Sequence, residues 1–138
     1  MPKLRHIAIH TQDPEKTAEF YKRAFEMVEV GRGESSEAVA IGLSDGDLNV
    51  TVLRFKKQEM ADRQDGLGPD VLGIHHMGFW VEDVEEARRR LRDAGAEYRA
   101  DLEGVMTPGS HEEKYKGPDG VMLDISVQGW TGARPPTS

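Results

Sequence analysis

The 138-residue sequence contains no cysteine. This absence excludes disulfide bonds, thiolate zinc sites, iron–sulfur clusters and a cysteine nucleophile. Long apolar runs are also missing, since none approaches the roughly 18 residues that a membrane-spanning helix requires. The first residues lack the apolar region of a secretory signal. We therefore expect a cytoplasmic protein that does not use a membrane as its partner.

The sequence has fewer basic than acidic residues. The chain has 18 Lys and Arg against 25 Asp and Glu, which gives a formal net charge of −7. Nucleic-acid binding needs a clustered basic surface. The one dense basic run, residues 88–92, follows the acidic residues of 82–86 and is typical of a solvated helix face. We expect no nucleic-acid partner.

An internal repeat organises the chain. Residues 4–25 and 74–95 align at a constant offset, which places His6 on His76 and Asp13 on Asp83. Each copy opens with a short apolar run of alternating pattern, which predicts a half-buried strand. Each Asp then stands where a helix N-cap is expected, and apolar residues follow it at helical spacing.

The second part of each copy has strand character. Residues 38–43 and 48–55 are separated by a hairpin-turn sequence, and so are residues 111–116 and 121–127. Each half therefore predicts a βαβββ unit, and a single such unit exposes too much of its sheet to be stable alone. The fold class is α+β, with two tandem units whose curved sheet encloses a trough.

The predicted units form one domain. It covers residues 1–130, and the expected boundaries are about 3–58 for the first module, 72–128 for the second, 59–71 for a Gly- and Asp-rich linker, and 131–138 for a flexible tail.

Histidine and carboxylate are the side chains that this sequence offers to a transition metal. His6 and His76 occupy equivalent positions of the repeated strands, and Asp124 lies within an apolar strand after the second turn. Its counterpart in the first half is Thr51. Imidazole and carboxylate together suit Fe(II), Mn(II), Ni(II), Co(II) or Zn(II). The alternative is structural, because repeat-matched histidines can be inherited symmetry, although a buried carboxylate still needs a cation or several donors.

Three segments, residues 4–27, 73–97 and 117–126, resemble the signature stretches of the vicinal oxygen chelate superfamily. That superfamily includes glyoxalase I, methylmalonyl-CoA epimerase, extradiol dioxygenases, and the fosfomycin and bleomycin resistance proteins. The resemblance covers about residues 4–127 and implies a glyoxalase-like fold with a divalent metal in the trough.

The resemblance also implies a ligand set. By position the metal ligands would be His6, His76 and Asp124, and the remaining ligand position falls on Thr51. Thr51 departs from the Gln or Glu that glyoxalase I and the epimerase have there, so a proton shuttle between two bases is not expected. Two histidines and one carboxylate then form the facial triad that leaves open positions for oxygen chemistry or a bidentate substrate.

Four further residues receive roles by resemblance or composition. Tyr115 and His111 lie where the dioxygenases place catalytic groups, although edge-strand packing and loop exposure are the structural alternatives. Thr51 and Trp80 are candidates for substrate binding.

Three functions remain open at this point, and the third is a regulatory or structural role of a degenerate copy of the fold. The first is a metal-dependent enzyme that chelates a small substrate through adjacent oxygens. The resemblance to the family implies that it is a homodimer. Its reaction would be dioxygenation, a lyase or isomerase reaction, or group addition. The second is a metal-free protein of the bleomycin-resistance type that binds and sequesters a small molecule.

Overall fold

The computed structural model describes residues 1–36, 38–56, 72–102 and 111–136. The predicted α+β architecture is confirmed within these ranges, while the predicted linker at 59–71 lies outside them. The elements in chain order are β1 (Lys3–His10), α1 (Pro14–Phe25), β2 (Val28–Glu34), β3 (Ala38–Ser44), β4 (Asn49–Phe55), β5 (Gly73–Trp80), α2 (Val84–Asp93), β6 (Glu97–Tyr98), β7 (Glu113–Lys116) and β8 (Met122–Ser126).

The eight strands form one mixed sheet in the order β2-β3-β4-β1-β5-β8-β7-β6. Each half of the chain contributes four neighbouring strands in the same internal order. β1 pairs with β4 in parallel and β5 pairs with β8 in parallel, while β1 and β5 meet antiparallel at the centre. The sequence repeat is therefore a pseudo-twofold symmetry of the sheet.

Both helices begin at the aspartates that the repeat aligns. Asp13 accepts a hydrogen bond from the backbone N of Lys16 at 3.1 Å, and Asp83 accepts one from that of Glu86 at 3.1 Å. Each carboxylate satisfies a backbone N–H that has no partner inside the helix. The symmetry of the fold thus extends to the helix caps.

The apolar core lies between the helices and one face of the sheet. Its two clusters of buried residues are Ala18, Ile41, Leu43 and Val52 under α1, and Val81, Ala87, Tyr115 and Ile125 under α2. Because side chains alternate along a strand, the neighbouring residues Asp124 and Ser126 of β8 face the other side of the sheet. Polar groups can therefore be buried together there.

Two β-bulges interrupt the pairing of the central strands. One extra residue is accommodated in each strand, Arg5 in β1 and His75 in β5. Each directly precedes a histidine of the repeat, His6 or His76. Since a bulge changes the direction of nearby side chains, these two irregularities help to determine where the repeated histidines lie.

The segment after β8 returns across the first module. The Ser44 hydroxyl donates to the backbone O of Gly132 at 2.7 Å, and the backbone N of Arg134 donates to the backbone O of Asp47 at 3.0 Å. The limits of the domain and the flexibility of the terminal residues stay predictions. Neither helix in the described part of the chain is long and apolar enough to cross a membrane.

Candidate metal centre

Three residues that sequence reasoning selected as ligands meet on the face of the sheet opposite the helices. His6, His76 and Asp124 come from β1, β5 and β8, which are adjacent strands, and all three are buried. Their potential ligand atoms lie within 4.8 Å of one another. His76 Nε2 is 3.3 Å from His6 Nε2 and 3.1 Å from Asp124 Oδ2.

These separations fit a bound divalent metal. Two ligand atoms at right angles on a metal with bonds of about 2.1 Å lie about 3 Å apart. The donor set of two imidazoles and one carboxylate matches the facial triad, which leaves coordination positions for a substrate. The geometry is thus compatible with the predicted ligand role of His6, His76 and Asp124.

Asn49 orients the imidazole of His6. Its side-chain N donates to the backbone O of Thr131 at 2.9 Å, so its Oδ1 faces the imidazole and lies 2.7 Å from His6 Nδ1. A carbonyl oxygen only accepts, which places the proton of His6 on Nδ1 and leaves a lone pair on Nε2. Sequence reasoning did not find this partner, because β1–β4 pairing brings it across from His6.

His75 supports the other imidazole. Its Nδ1 lies 2.8 Å from Nδ1 of His76, so one of these nitrogens donates to the other. With the proton on His76 Nδ1, its Nε2 carries the lone pair that a metal requires. The structure buries both His75 and His10, and the ring of His10 packs against Phe55.

Burial keeps both histidines of the triad neutral. Loss of hydration lowers the pKa of His6, and it lowers the pKa of His76 well below its ordinary value, with the nearby positive charge of Lys114 acting in the same direction. Neutral imidazole is the form that binds a metal.

Lys114 forms a buried ion pair with Asp124. Its Nζ lies 2.9 Å from each carboxylate oxygen and 3.4 Å from Oε2 of Glu112. Burial alone would raise the pKa of Asp124 and lower that of Lys114. Their attraction, aided by Glu112, outweighs burial, so the pKa of Asp124 is lowered and that of Lys114 is raised. Both groups are therefore charged at neutral pH.

Trp130 covers one side of the centre. Its ring stacks on His6 with centroids 4.7 Å apart and planes 5° from parallel, and its Nε1 donates to Glu112 Oε1 at 3.1 Å. A Cβ atom on Gly78 would lie 2.6 Å from this indole, so glycine is needed for the ring to lie flat there. A cavity of about 420 Å³ adjoins the ring, lined by His111, Glu112, Ser126, Gln128, Gly129, Trp130 and Thr131.

The fold and the ligand geometry agree with a comparison of the sequence to known families. The Glyoxalase/Bleomycin resistance protein/Dioxygenase superfamily matches residues 3–125. The chain belongs to this superfamily. The resemblance seen in the sequence is therefore confirmed. None of the curated proteins compared with the chain matches it.

Solved structures of other proteins share the fold. A hypothetical protein from Bacillus halodurans superposes with a TM-score of 0.70 at 18% identity, covering 91% of this chain and 93% of its own. A methylmalonyl-CoA epimerase in complex with methylmalonyl-CoA and NH4+ gives 0.67 at 19% identity, with 91% and 93% covered. The epimerase of Mycobacterium tuberculosis gives 0.62 at 19% identity, with 89% and 85% covered.

Thr51 is the counterpart of Asp124 in the first module. It pairs with Ala8 of β1, just as Asp124 pairs with Gly78 of β5. The Thr51 hydroxyl donates to Oδ1 of Asn49 at 2.8 Å. In the structure this residue therefore supports the oxygen that orients His6.

The remaining predicted residues lie apart from the triad, and their roles stay predictions. Tyr115 is in the core under α2, and its hydroxyl donates to Glu113 Oε1 at 3.3 Å. His111 is exposed at the rim of the cavity beside Trp130. Trp80 ends β5 and donates from Nε1 to the backbone O of Val127 at 3.1 Å.

Proposed function

We propose that this protein is a metal-dependent enzyme of the superfamily that binds a small substrate through two adjacent oxygen atoms. The proposal rests on one observation: His6, His76 and Asp124 form a buried cluster whose potential ligand atoms lie within 4.8 Å of one another. These three residues would hold the metal, which we take to be Fe, Mn, Ni, Co or Zn. We also propose a cytoplasmic homodimer.

A divalent metal held by these residues would supply a Lewis acid that stabilises negative charge on the oxygens of the substrate. The chain's own groups prepare the site for it. Asn49 and His75 orient the two imidazoles, and burial keeps those imidazoles neutral. Such outer partners are part of how a protein controls its metal.

The proposal covers dioxygenation, lyase or isomerase chemistry, and group addition. Thr51 provides a hydroxyl where glyoxalase I and the epimerase provide an amide or a carboxylate. This difference argues against proton transfer between two bases on opposite sides of the substrate. Glu112, which lies beside Lys114 and Trp130, is an additional carboxylate at the edge of the centre.

One observation favours a second function, a metal-free small-molecule binding protein of the bleomycin-resistance type. The buried charge of Asp124 is already balanced by Lys114 without a metal. The cavity beside Trp130 would then receive the ligand. The two functions differ in whether the protein carries a metal at all.

Elemental analysis distinguishes them. The protein is purified without chelator or affinity metal, and analysed again after chelation and addition of Fe(II), Mn(II), Ni(II) or Zn(II). We expect one metal per chain in the wild type and in a His111→Ala control, and none in His76→Ala. Metal retained by His76→Ala would contradict the ligand assignment. A wild type without metal under every condition would favour the binding protein.

A further inference from the structure

We infer that Lys114 is an internal cation that competes with the metal for Asp124 and thereby lowers the affinity of the centre. This inference rests on the proposed function, because it concerns how the same three residues would bind a metal. The structure shows the ion pair directly. Its effect on metal binding follows from the position and charge of the ammonium.

The position of the ammonium is that of a carboxylate-bound cation. Lys114 Nζ is equidistant, at 2.9 Å, from both oxygens of Asp124. The carboxylate is fully buried and the lysine is 7% exposed, so water cannot easily replace either partner. Oδ2, the oxygen nearest His76, is therefore already engaged by the ammonium. A metal would have to share that oxygen or displace the ammonium.

Charge makes sharing unfavourable. In the metal-free protein the negative charge of Asp124 and the positive charge of Lys114 balance each other. A divalent metal among His6, His76 and Asp124 would add two positive charges close to the ammonium. Like charges in a buried environment repel strongly because little water screens them. Lys114 must therefore weaken metal binding by a part of this repulsion.

Glu112 offers the displaced ammonium a second partner. Its Oε2 lies 3.4 Å from Lys114 Nζ, and its Oε1 is held by the indole N–H of Trp130. A small movement of Nζ from Asp124 toward Glu112 would leave the lysine paired. Metal binding would then exchange one partner of Asp124 for another and would not leave a buried lysine uncompensated.

The test measures Zn(II) affinity of chelator-treated protein by competition with a metal-binding dye. Lys114→Met removes the ammonium and keeps an apolar stem of similar length. We expect it to bind Zn(II) at least tenfold more tightly than the wild type. The matched control is Lys22→Met, which also removes a paired lysine. Lys22 forms an ion pair with Glu29 at 2.7 Å and is not part of the triad or its surroundings. Its affinity should stay within twofold of the wild type.

Thermal unfolding provides a readout independent of the dye. Metal-free Lys114→Met should unfold at a lower temperature than the wild type, because Asp124 loses its cation. Zn(II) should raise its unfolding temperature by more than it raises that of the wild type. If this variant does not fold, Lys114→Arg decides, since its guanidinium holds a carboxylate with two parallel hydrogen bonds. We expect Lys114→Arg to bind Zn(II) at least tenfold more weakly.

The outcomes separate this inference from the proposed function. Equal or weaker binding by Lys114→Met, with Zn(II) bound by the wild type, would overturn the inference and leave the metal enzyme standing. Zn(II) affinity of Lys114→Arg equal to the wild type would overturn it as well. If neither the wild type nor any variant bound metal, both proposals would be wrong.

Discussion

Removing either member of the buried ion pair between Lys114 and Asp124 should strongly destabilise the metal-free protein. Removing one member of a buried pair leaves an uncompensated charge, which typically costs about 3–5 kcal/mol. Asp124→Asn keeps the shape of the side chain and removes its charge. The lysine, 7% exposed, would then keep Glu112 as a more distant partner at 3.4 Å. That partner places the expected cost toward the lower end of the range.

The cost corresponds to a large change in melting temperature. For a chain of 138 residues the unfolding entropy is about 0.3 kcal/mol/K, so a loss of about 3 kcal/mol lowers Tm by about 10 °C. Lys114→Met should cost at least as much, because the fully buried Asp124 then loses the ammonium that both its oxygens contact.

A double-mutant cycle separates this pair from other effects of the substitutions. The variant with both Asp124→Asn and Lys114→Met contains no buried charge at these positions. Its loss of stability should therefore be smaller than the two single losses added together, by at least about 2 kcal/mol. Urea unfolding at pH 7 in the presence of a chelator measures all four proteins. Additivity within about 0.5 kcal/mol would refute the assignment of a strongly coupled pair.

Three further predictions concern the surroundings of the triad. Because burial lowers the pKa of His6 and His76, the unfolded metal-free chain binds more protons than the folded one below pH 6.5. The free energy of unfolding should therefore fall on acidification from pH 7.5 to 5.5, by at most about 1.4 kcal/mol per pH unit for each histidine. A free energy from urea unfolding that does not change over this range would contradict the prediction. Asn49→Leu should lower metal affinity by about 10–100-fold, as the loss of an orienting partner usually does, whereas Thr51→Val should change it by less than threefold. Dye competition measures both affinities, and a larger loss in Thr51→Val than in Asn49→Leu would indicate that Thr51 is a ligand. Gly78→Ala should lower the unfolding free energy by about 1–3 kcal/mol, because the added methyl group would clash with the indole of Trp130. Calorimetry that finds no loss of stability would show that the indole moves without cost.

Much of the fold could be predicted because it depends on local chemistry. The alternation of apolar residues predicts strands, and an aspartate ahead of a helical pattern predicts a capped helix, whatever the rest of the chain does. The repeat then relates the two halves, so His6 and His76 are recognised as equivalent before any tertiary contact is known. Asp124 stands out because a carboxylate within an apolar strand needs a partner.

The identity of that partner was within reach of the sequence but was missed. The turn at residues 117–120 joins two antiparallel strands, and counting outward from it brings Lys114 close to the position opposite Asp124. The structure pairs these two residues directly. A lysine in that place is ambiguous by itself, because an antiparallel strand commonly carries polar residues on a face that is in water. Only burial turns the pair into part of the candidate centre.

Sequence alone therefore determined the duplicated α+β fold, the two capped helices and the three candidate ligands, since each follows from patterns between near neighbours or between the repeats. Tertiary structure decided which groups surround those ligands. Asn49 reaches His6 through a parallel pairing of distant strands, and Trp130 reaches it from the last residue of the predicted domain, beyond the final strand. Such contacts depend on how the sheet closes and where a chain end packs, and no local preference encodes that geometry.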